Sequence, residues 1–176
     1  MMKKVLAALG GVVALLLVLP AVLPAHVRVE RAASIAAKPD DVYTYLVDLN
    51  QYQNWNPFSE NDPTATSQVA GSGIGSSLTW KGEKTGEGKM TISGVEPTGR
   101  VRLNLDFYTP MEGAALVEWR VEAIDGGKSR MTWSLEEDLS YFHRYFGLVT
   151  DRMIGAMFEK GLQNLKGQLE KHTPSN

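Results

Sequence analysis

The chain opens on an apolar run: between Lys4 and Arg28 there is no Asp, Glu, Lys or Arg, and residues 5–19 are almost wholly Val, Leu, Ala and Gly. The period then changes. In HVRVERAASI apolar and polar positions alternate, with Val27, Val29 and Ile35 prominent, which is the two-residue repeat of a half-buried strand. Pro39 and Asp40 stand at a helix start, and Val42, Tyr45, Leu46 and Leu49 follow at three- and four-residue spacing, predicting a short amphipathic helix. NQYQNWNPFSENDP, rich in Asn, Ser and Pro, reads as a loop carrying Trp55 and Phe58. From Thr64 to Asp138, regular glycine punctuation separates six runs of strand character, near residues 64–69, 76–80, 89–95, 101–108, 115–124 and 129–135. The short turns between them predict an antiparallel meander. The last stretch, from Gly147, carries Val149, Met153, Met157, Leu162, Leu165 and Leu169 on a helical period and ends in TPSN.

Strand, short helix, meander and long helix together predict an α+β layer in which a curved seven-stranded sheet wraps the C-terminal helix. Three segments follow: an N-terminal membrane segment at 1–25, a folded domain at 26–172 and a tail at 173–176. A helix over residues 5–25 would be about 31 Å long at about 1.5 Å per residue, enough for a hydrocarbon core of about 30 Å. A spanning anchor and a cleaved signal peptide both fit, because Lys3 and Lys4 form a short positive region before the apolar run. Cleavage after Ala25 would place Leu23 where a small residue is wanted, which favours the anchor. Two N-terminal lysines kept in the cytoplasm would put the domain on the extracytoplasmic side. With cleavage it would be secreted or periplasmic.

The strand period also separates two faces. Val101, Leu103, Leu105 and Phe107 share one face with Val117, Trp119, Val121, Met131, Trp133 and Leu135; Leu78, Trp80, Met90 and Ile92 join them from the earlier strands. The opposite face collects Arg102, Asn104, Asp106, Glu118, Arg120, Glu122 and Arg130 and belongs in water. An inner face without carboxylate, His or Lys is expected to lack general acid–base groups. Composition narrows the field further. There is no Cys, so disulfides, thiolate catalysis and Cys-ligated metals are excluded, and a net charge of -2 argues against nucleic acid as a partner. His26, His143 and His172 are scattered, with no metal-ligand spacing. GSGIGS at 71–76 opens a strand, so it reads as a turn and not a phosphate loop.

The layout, with YTYLVDLNQYQNWNPFSENDP, SSLTWKGEKTGEGKMTI and RMIGAMFEKGLQNLKGQLE, resembles the polyketide cyclase/dehydrase and lipid-transport group of the START-like (SRPBCC) superfamily over about residues 27–170. The Trp55–Pro63 pattern and the Gly-containing final helix resemble a bacterial subgroup that often carries an N-terminal hydrophobic segment. The resemblance implies a helix-grip fold enclosing an apolar cavity. It also implies a lipid, sterol, polyketide or other hydrophobic molecule as ligand; only some members are enzymes, and fold alone does not decide activity.

The candidate cavity lining is Trp55, Phe58, Trp80, Met90, Leu105, Phe107, Trp119, Met131, Trp133, Met153 and Met157. Aromatic and Met side chains at these places serve equally as ordinary core. Gly155, Gly161 and Gly167 either let the final helix approach the sheet or leave room for a ligand. No catalytic residue, metal or cofactor is assigned, although Asp106 and Glu112 are the acids nearest the expected cavity rim. Three functions remain open. The first is a membrane-tethered binding module, contacting the bilayer through residues 5–25; the second is a cyclase or aromatase, and the third an interaction domain with a filled core and an unknown protein partner.

Overall fold

Alternation and glycine turns produce seven strands: β1 (His26–Ile35), β2 (Thr66–Ala70), β3 (Ser77–Gly82), β4 (Gly86–Glu96), β5 (Arg100–Thr109), β6 (Gly113–Ile124) and β7 (Lys128–Asp138). The computed structural model describes residues 2–171, so His172 and the expected tail at 173–176 lie outside the described residues. The strands form one antiparallel sheet in the order β1-β7-β6-β5-β4-β3-β2, with β1 and β2 at its edges. Helix α1 spans Met2–Val18, α2 Pro39–Val47, and α3 (Leu49–Tyr52) and α4 (Phe58–Asn61) are single turns. Helix α5 runs over Arg144–Lys171 and packs along β1. The expected α+β helix-grip architecture is the one observed.

Local chemistry explains the helix starts. Pro39 takes the first turn of α2, where its missing N–H costs nothing, and Asp40 and Asp41 meet the positive helix end. The Asp48 carboxylate accepts from the backbone N–H of Asn50 at 2.9 Å and caps α3. Two boundaries differ from expectation. The N-terminal helix was expected to reach Ala25 but ends at Val18, followed by a 3₁₀ turn over Leu19–Ala21. Pro20 and Pro24 lack the N–H groups that a continuing helix needs. Helix α5 begins at Arg144, three residues before the expected start, with the aromatic stretch at 141–146 at its head.

Strand register arranges the inner face in rows. Next to the chain's entry at His26, Trp80, Gly88 and Phe107 stand side by side on β3, β4 and β5. The second row is Leu78, Met90, Leu105, Ala115, Glu137 and Val27, and the third includes Ile92, Leu103, Val117, Leu135 and Val29. The fourth row holds Val101, Trp119, Trp133 and Arg31. Val42 and Leu46 of α2 and Phe158, Leu162, Leu165 and Leu169 of α5 cover these rows and complete a continuous buried core.

Arg31 is the exception in an apolar row. Its guanidinium reaches α5, donating from Nε to Glu159 at 2.8 Å and from Nη1 to Asp151 at 3.0 Å. Gly155 makes room: a Cβ there would lie 2.2 Å from Arg31 Nη2. Gly161 likewise admits Trp133 and Pro57, whereas Gly167 faces open space. Close approach therefore explains Gly155 and Gly161, and also Gly147, where a Cβ would lie 2.8 Å from Leu139, but not Gly167.

Candidate functional site

The first two inner rows form the less covered end of the grip. Met90 and Ala115 are buried, while Trp80, Leu105, Phe107 and Val27 are only half-buried. Trp80 lies over Gly88, where a Cβ would come within 2.2 Å of the indole, and meets Phe107 edge-on at 6.0 Å. Its indole N–H donates to the Thr85 carbonyl at 3.2 Å, which fixes the ring. The loop after α3 closes one side, with Phe58 half-buried against the core. It is held to α5 by Asn61 donating to the Met157 sulfur at 3.0 Å and by Glu60 pairing with Lys160 at 2.7 Å.

Asp62 anchors the same loop to the β3–β4 turn. Its carboxylate accepts from the backbone N–H groups of Lys84 and Thr85 at 2.8 and 3.1 Å and from the Thr85 hydroxyl at 3.2 Å. These donors, foremost the two backbone amides, hold its pKa down to about 2.

Deeper in, aromatic rings fill the space between sheet and helix. Trp55 lies 5.2 Å from Trp119 and 5.4 Å from Trp133, Tyr52 contacts Trp55 edge-on at 4.8 Å, and Phe158 stacks on Trp133 at 4.2 Å. Burial alone drives the Tyr52 phenol well above its ordinary pKa. Yet three polar atoms remain unmet: the indole N–H groups of Trp55, Trp119 and Trp133 are buried with no acceptor among the described residues. Edge-to-face ring contacts compensate such donors only weakly.

Of the expected lining residues, Trp55, Trp119 and Trp133 meet in this cluster, Met131 is buried in the row next to it, Met90 is buried in the second row, and Trp80 and Phe107 pair at the open end with Leu105. Phe58 and Met157 sit half-buried along the loop and α5. Met153 does not join them. It is 63% exposed, as is Val149 to a lesser degree, because the buried stripe of α5 runs through Ile154, Phe158, Leu162, Leu165 and Leu169, one position out of phase with Met153. A surface depression of about 250 Å³ lies on the outer face of the sheet, and a larger one of about 550 Å³ lies at the β2–β3–β4 edge, lined by outer-face residues such as Thr79, Lys81 and Tyr108 together with Trp80 and Gly88 of the first row. Asp106 and the exposed Tyr108 also belong to that outer face, away from the half-buried apolar rows.

The expectation of an inner face without carboxylate is corrected by Glu137. It pairs with Ala115 and Val27 in the second row, so the alternation of β7 carries it inward behind Leu135. Its carboxylate makes no hydrogen bond among the described residues. Desolvation raises its pKa, and nearby His143 opposes that shift. The signal was present in the sequence as parity: 131, 133, 135 and 137 are one face. Glu136 and Asp138, its neighbours in sequence, pair with Arg28 and His26 on the other face and mask that parity. Among the described residues, no three His, Asp or Glu side chains gather where they could hold a metal ion.

Comparison with known proteins adds a family. The polyketide cyclase/dehydrase and lipid-transport family matches residues 26–170. No curated protein matches the chain in sequence. Among solved structures, norcoclaurine synthase from Thalictrum flavum, in complex with dopamine and hydroxybenzaldehyde, superposes with a TM-score of 0.66 at 13% identity, covering 85% of this chain and 90% of that one. The Zhui aromatase/cyclase from a Streptomyces species gives 0.60 at 14% identity over 85% and 97% of the two chains. A protein from Chromobacterium violaceum gives 0.60 at 15% identity over 87% and 100%. At such identities these likenesses concern the fold.

Proposed function

Because the chain belongs to the polyketide cyclase/dehydrase and lipid-transport family, we propose that it is a membrane-tethered module that binds a lipid or other hydrophobic small molecule between the sheet and α5. The observation that carries this reading is the set of three buried indole N–H groups without acceptors among the described residues, all inside the aromatic cluster. Leaving buried donors unmet costs about 1–3 kcal/mol each, so a guest bearing ester or carbonyl oxygens on an apolar body would gain what the empty interior forgoes. Entry runs past Trp80, Leu105 and Phe107, and burial at about 25 cal/mol per Å² of apolar area drives it. Aromatic rings in contact fill the deep interior, so the loop at Phe58 and helix α5 must part to admit a guest. The tether is α1. Together with the following turn it makes a 20-residue apolar segment, Met2–Ala21, with mean hydropathy 2.2, long enough to cross a membrane.

Native mass spectrometry of the full chain released from detergent tests the reading. An adduct of defined mass should survive the activation that strips lipid from α1, and it should disappear in Leu105→Trp, which narrows the entrance. A clean apo mass that stays unchanged after incubation with mixed membrane lipids overturns the proposal and favours a filled-core interaction domain. Glu137 and His143 at the same end lend some support to a cyclase-type enzyme as a second reading. Turnover of a polyketide substrate lost in Glu137→Gln would decide for it.

A further inference from the structure

The turn before α5 and the helix's first turns carry exposed apolar side chains that no other described element covers. Phe142, Phe146, Leu148 and Val149 are each between 47 and 64% exposed, and Tyr141 is 40% exposed. This stretch is physically joined to the end of the apolar N-terminal segment. The Tyr141 hydroxyl donates to the Leu17 carbonyl at 2.8 Å, Arg144 Nη1 donates to the Pro20 carbonyl at 3.0 Å, and the Tyr145 hydroxyl donates to the Leu16 carbonyl. Those carbonyls belong to the last turn of α1 and the 3₁₀ turn beyond it, the groups that a helix end leaves without intrahelical donors. Within α1, Val5, Leu6, Leu9, Val12, Leu15 and Leu16 are all exposed.

We infer that residues 141–149 are a membrane-docking surface, whose partner is the lipid bilayer crossed by α1. Three features point to lipid over protein. First, the surface is continuous with α1 through these three hydrogen bonds, so a bilayer around α1 reaches it without a linker. Second, between Asp138 and Asp151 the chain has no acid, while His143 and Arg144 lie inside the stretch and Arg152 follows it, the charge balance that anionic headgroups favour. Third, Tyr141 and Tyr145 have their hydroxyls on the α1 carbonyls, and the Tyr141 ring meets Phe142 edge-on at 5.3 Å, the amphipathic arrangement of aromatic belts at membrane interfaces. Seated in this way, Phe142 and Phe146 would enter the headgroup region to a depth of about 5–10 Å. The half-buried rows at Trp80, Leu105 and Phe107 lie at the same end of the sheet as His26 and Asp138, so the grip would open toward the bilayer.

This inference rests on α1 spanning the membrane, and its test separates the two. The chain has no Cys, so single variants Leu9→Cys, Phe146→Cys, Val149→Cys and Asp125→Cys can each carry one bimane label in the full-length protein. Asp125 lies at the opposite end of the sheet, in the β6–β7 turn. The proteins are reconstituted in phosphatidylcholine/phosphatidylglycerol vesicles containing lipids with doxyl groups either near the carbonyls or deep in the chains. The docking surface predicts loss of emission at 146 and 149 with shallow doxyl lipid, loss at 9 with deep doxyl lipid, and no loss at 125. Quenching at 9 with none at 146 and 149 overturns the docking surface and leaves the tether standing. Absence of quenching at 9 overturns the tether and the inference together. Protection of 146 and 149 from both doxyl lipid and aqueous iodide would mean a protein or a second copy covers the stretch, and it too overturns the inference.

Discussion

The helix glycines show how much one side chain's surroundings decide. A Cβ at Gly161 would lie 2.7 Å from Trp133 Cζ3 and 3.1 Å from Pro57 Cδ, and the Trp133 ring is held by Trp55 and Phe158. Gly161→Ala should therefore destabilise the protein by about 1–3 kcal/mol, the usual range for overpacking. Gly167 faces open space, so Gly167→Ala should stabilise by about 1 kcal/mol through helix propensity. Thermal melts of the two variants should move in opposite directions. Glu137 makes a second residue-scale prediction. Burial raises its folded pKa above the ordinary 4.5, so its favourable contribution is complete below that value and is lost as pH rises through the folded pKa. Glu137→Gln should melt higher than the parent at pH 7, and the two curves should converge below about pH 4.5; a variant equally destabilised at both would sink the assignment. Neither glycine's fate was legible in the sequence, because Gly155, Gly161 and Gly167 look alike until their neighbours across the interface are known.

Among elements, the loop over residues 53–65 does more than connect α3 to β2. Asp62 ties it to the β3–β4 turn, and Glu60 and Asn61 tie it to α5. The Asp62 carboxyl has its pKa lowered from 3.8 to about 2, so its contribution is present above 3.8 and fades as pH falls toward 2. Asp62→Asn should lower Tm at neutral pH, and the difference from the parent should shrink as pH approaches 2; a gap that stays constant with pH would refute the charge-assisted role. The strands were the most legible part. Their alternation and glycine-marked turns predicted all seven with ends shifted by a few residues, since pleat and turn chemistry act locally. The phase of α5 was not. Val149 and Met153 fit a helical period as well as Ile154 and Phe158 do, and only the position of β1 and of the aromatic cluster selects the stripe that is buried.

Across the molecule, Arg31 joins the sheet edge to the helix that it grips. Two carboxylates, Asp151 and Glu159, raise its already high pKa further, and they bracket Gly155 on α5. Exposed ion pairs are screened by salt and contribute little singly; this one also positions an entire helix end. Arg31→Ala should speed amide hydrogen exchange over residues 147–157 while leaving 162–169 protected. Uniform exchange along α5 would show that the clasp has no such local effect. The same helix end carries the exposed aromatics beside α1, so loosening it should also change how the protein sits on a bilayer.

What the sequence determined by itself was whatever depends on near neighbours along the chain: the apolar N-terminal segment, the seven strands, the inward parity of Trp119, Met131 and Trp133, and the family resemblance. Tertiary structure alone decided the rest. It placed three indole donors without acceptors in one cluster, turned Arg31 into a clasp, left Met153 outside and set the head of α5 against the end of α1. The physical reason is distance. Period and turn signals act over a few residues, whereas the partner of Arg31 lies 120 residues away and that of Arg144 124 away, and only packing brings them together.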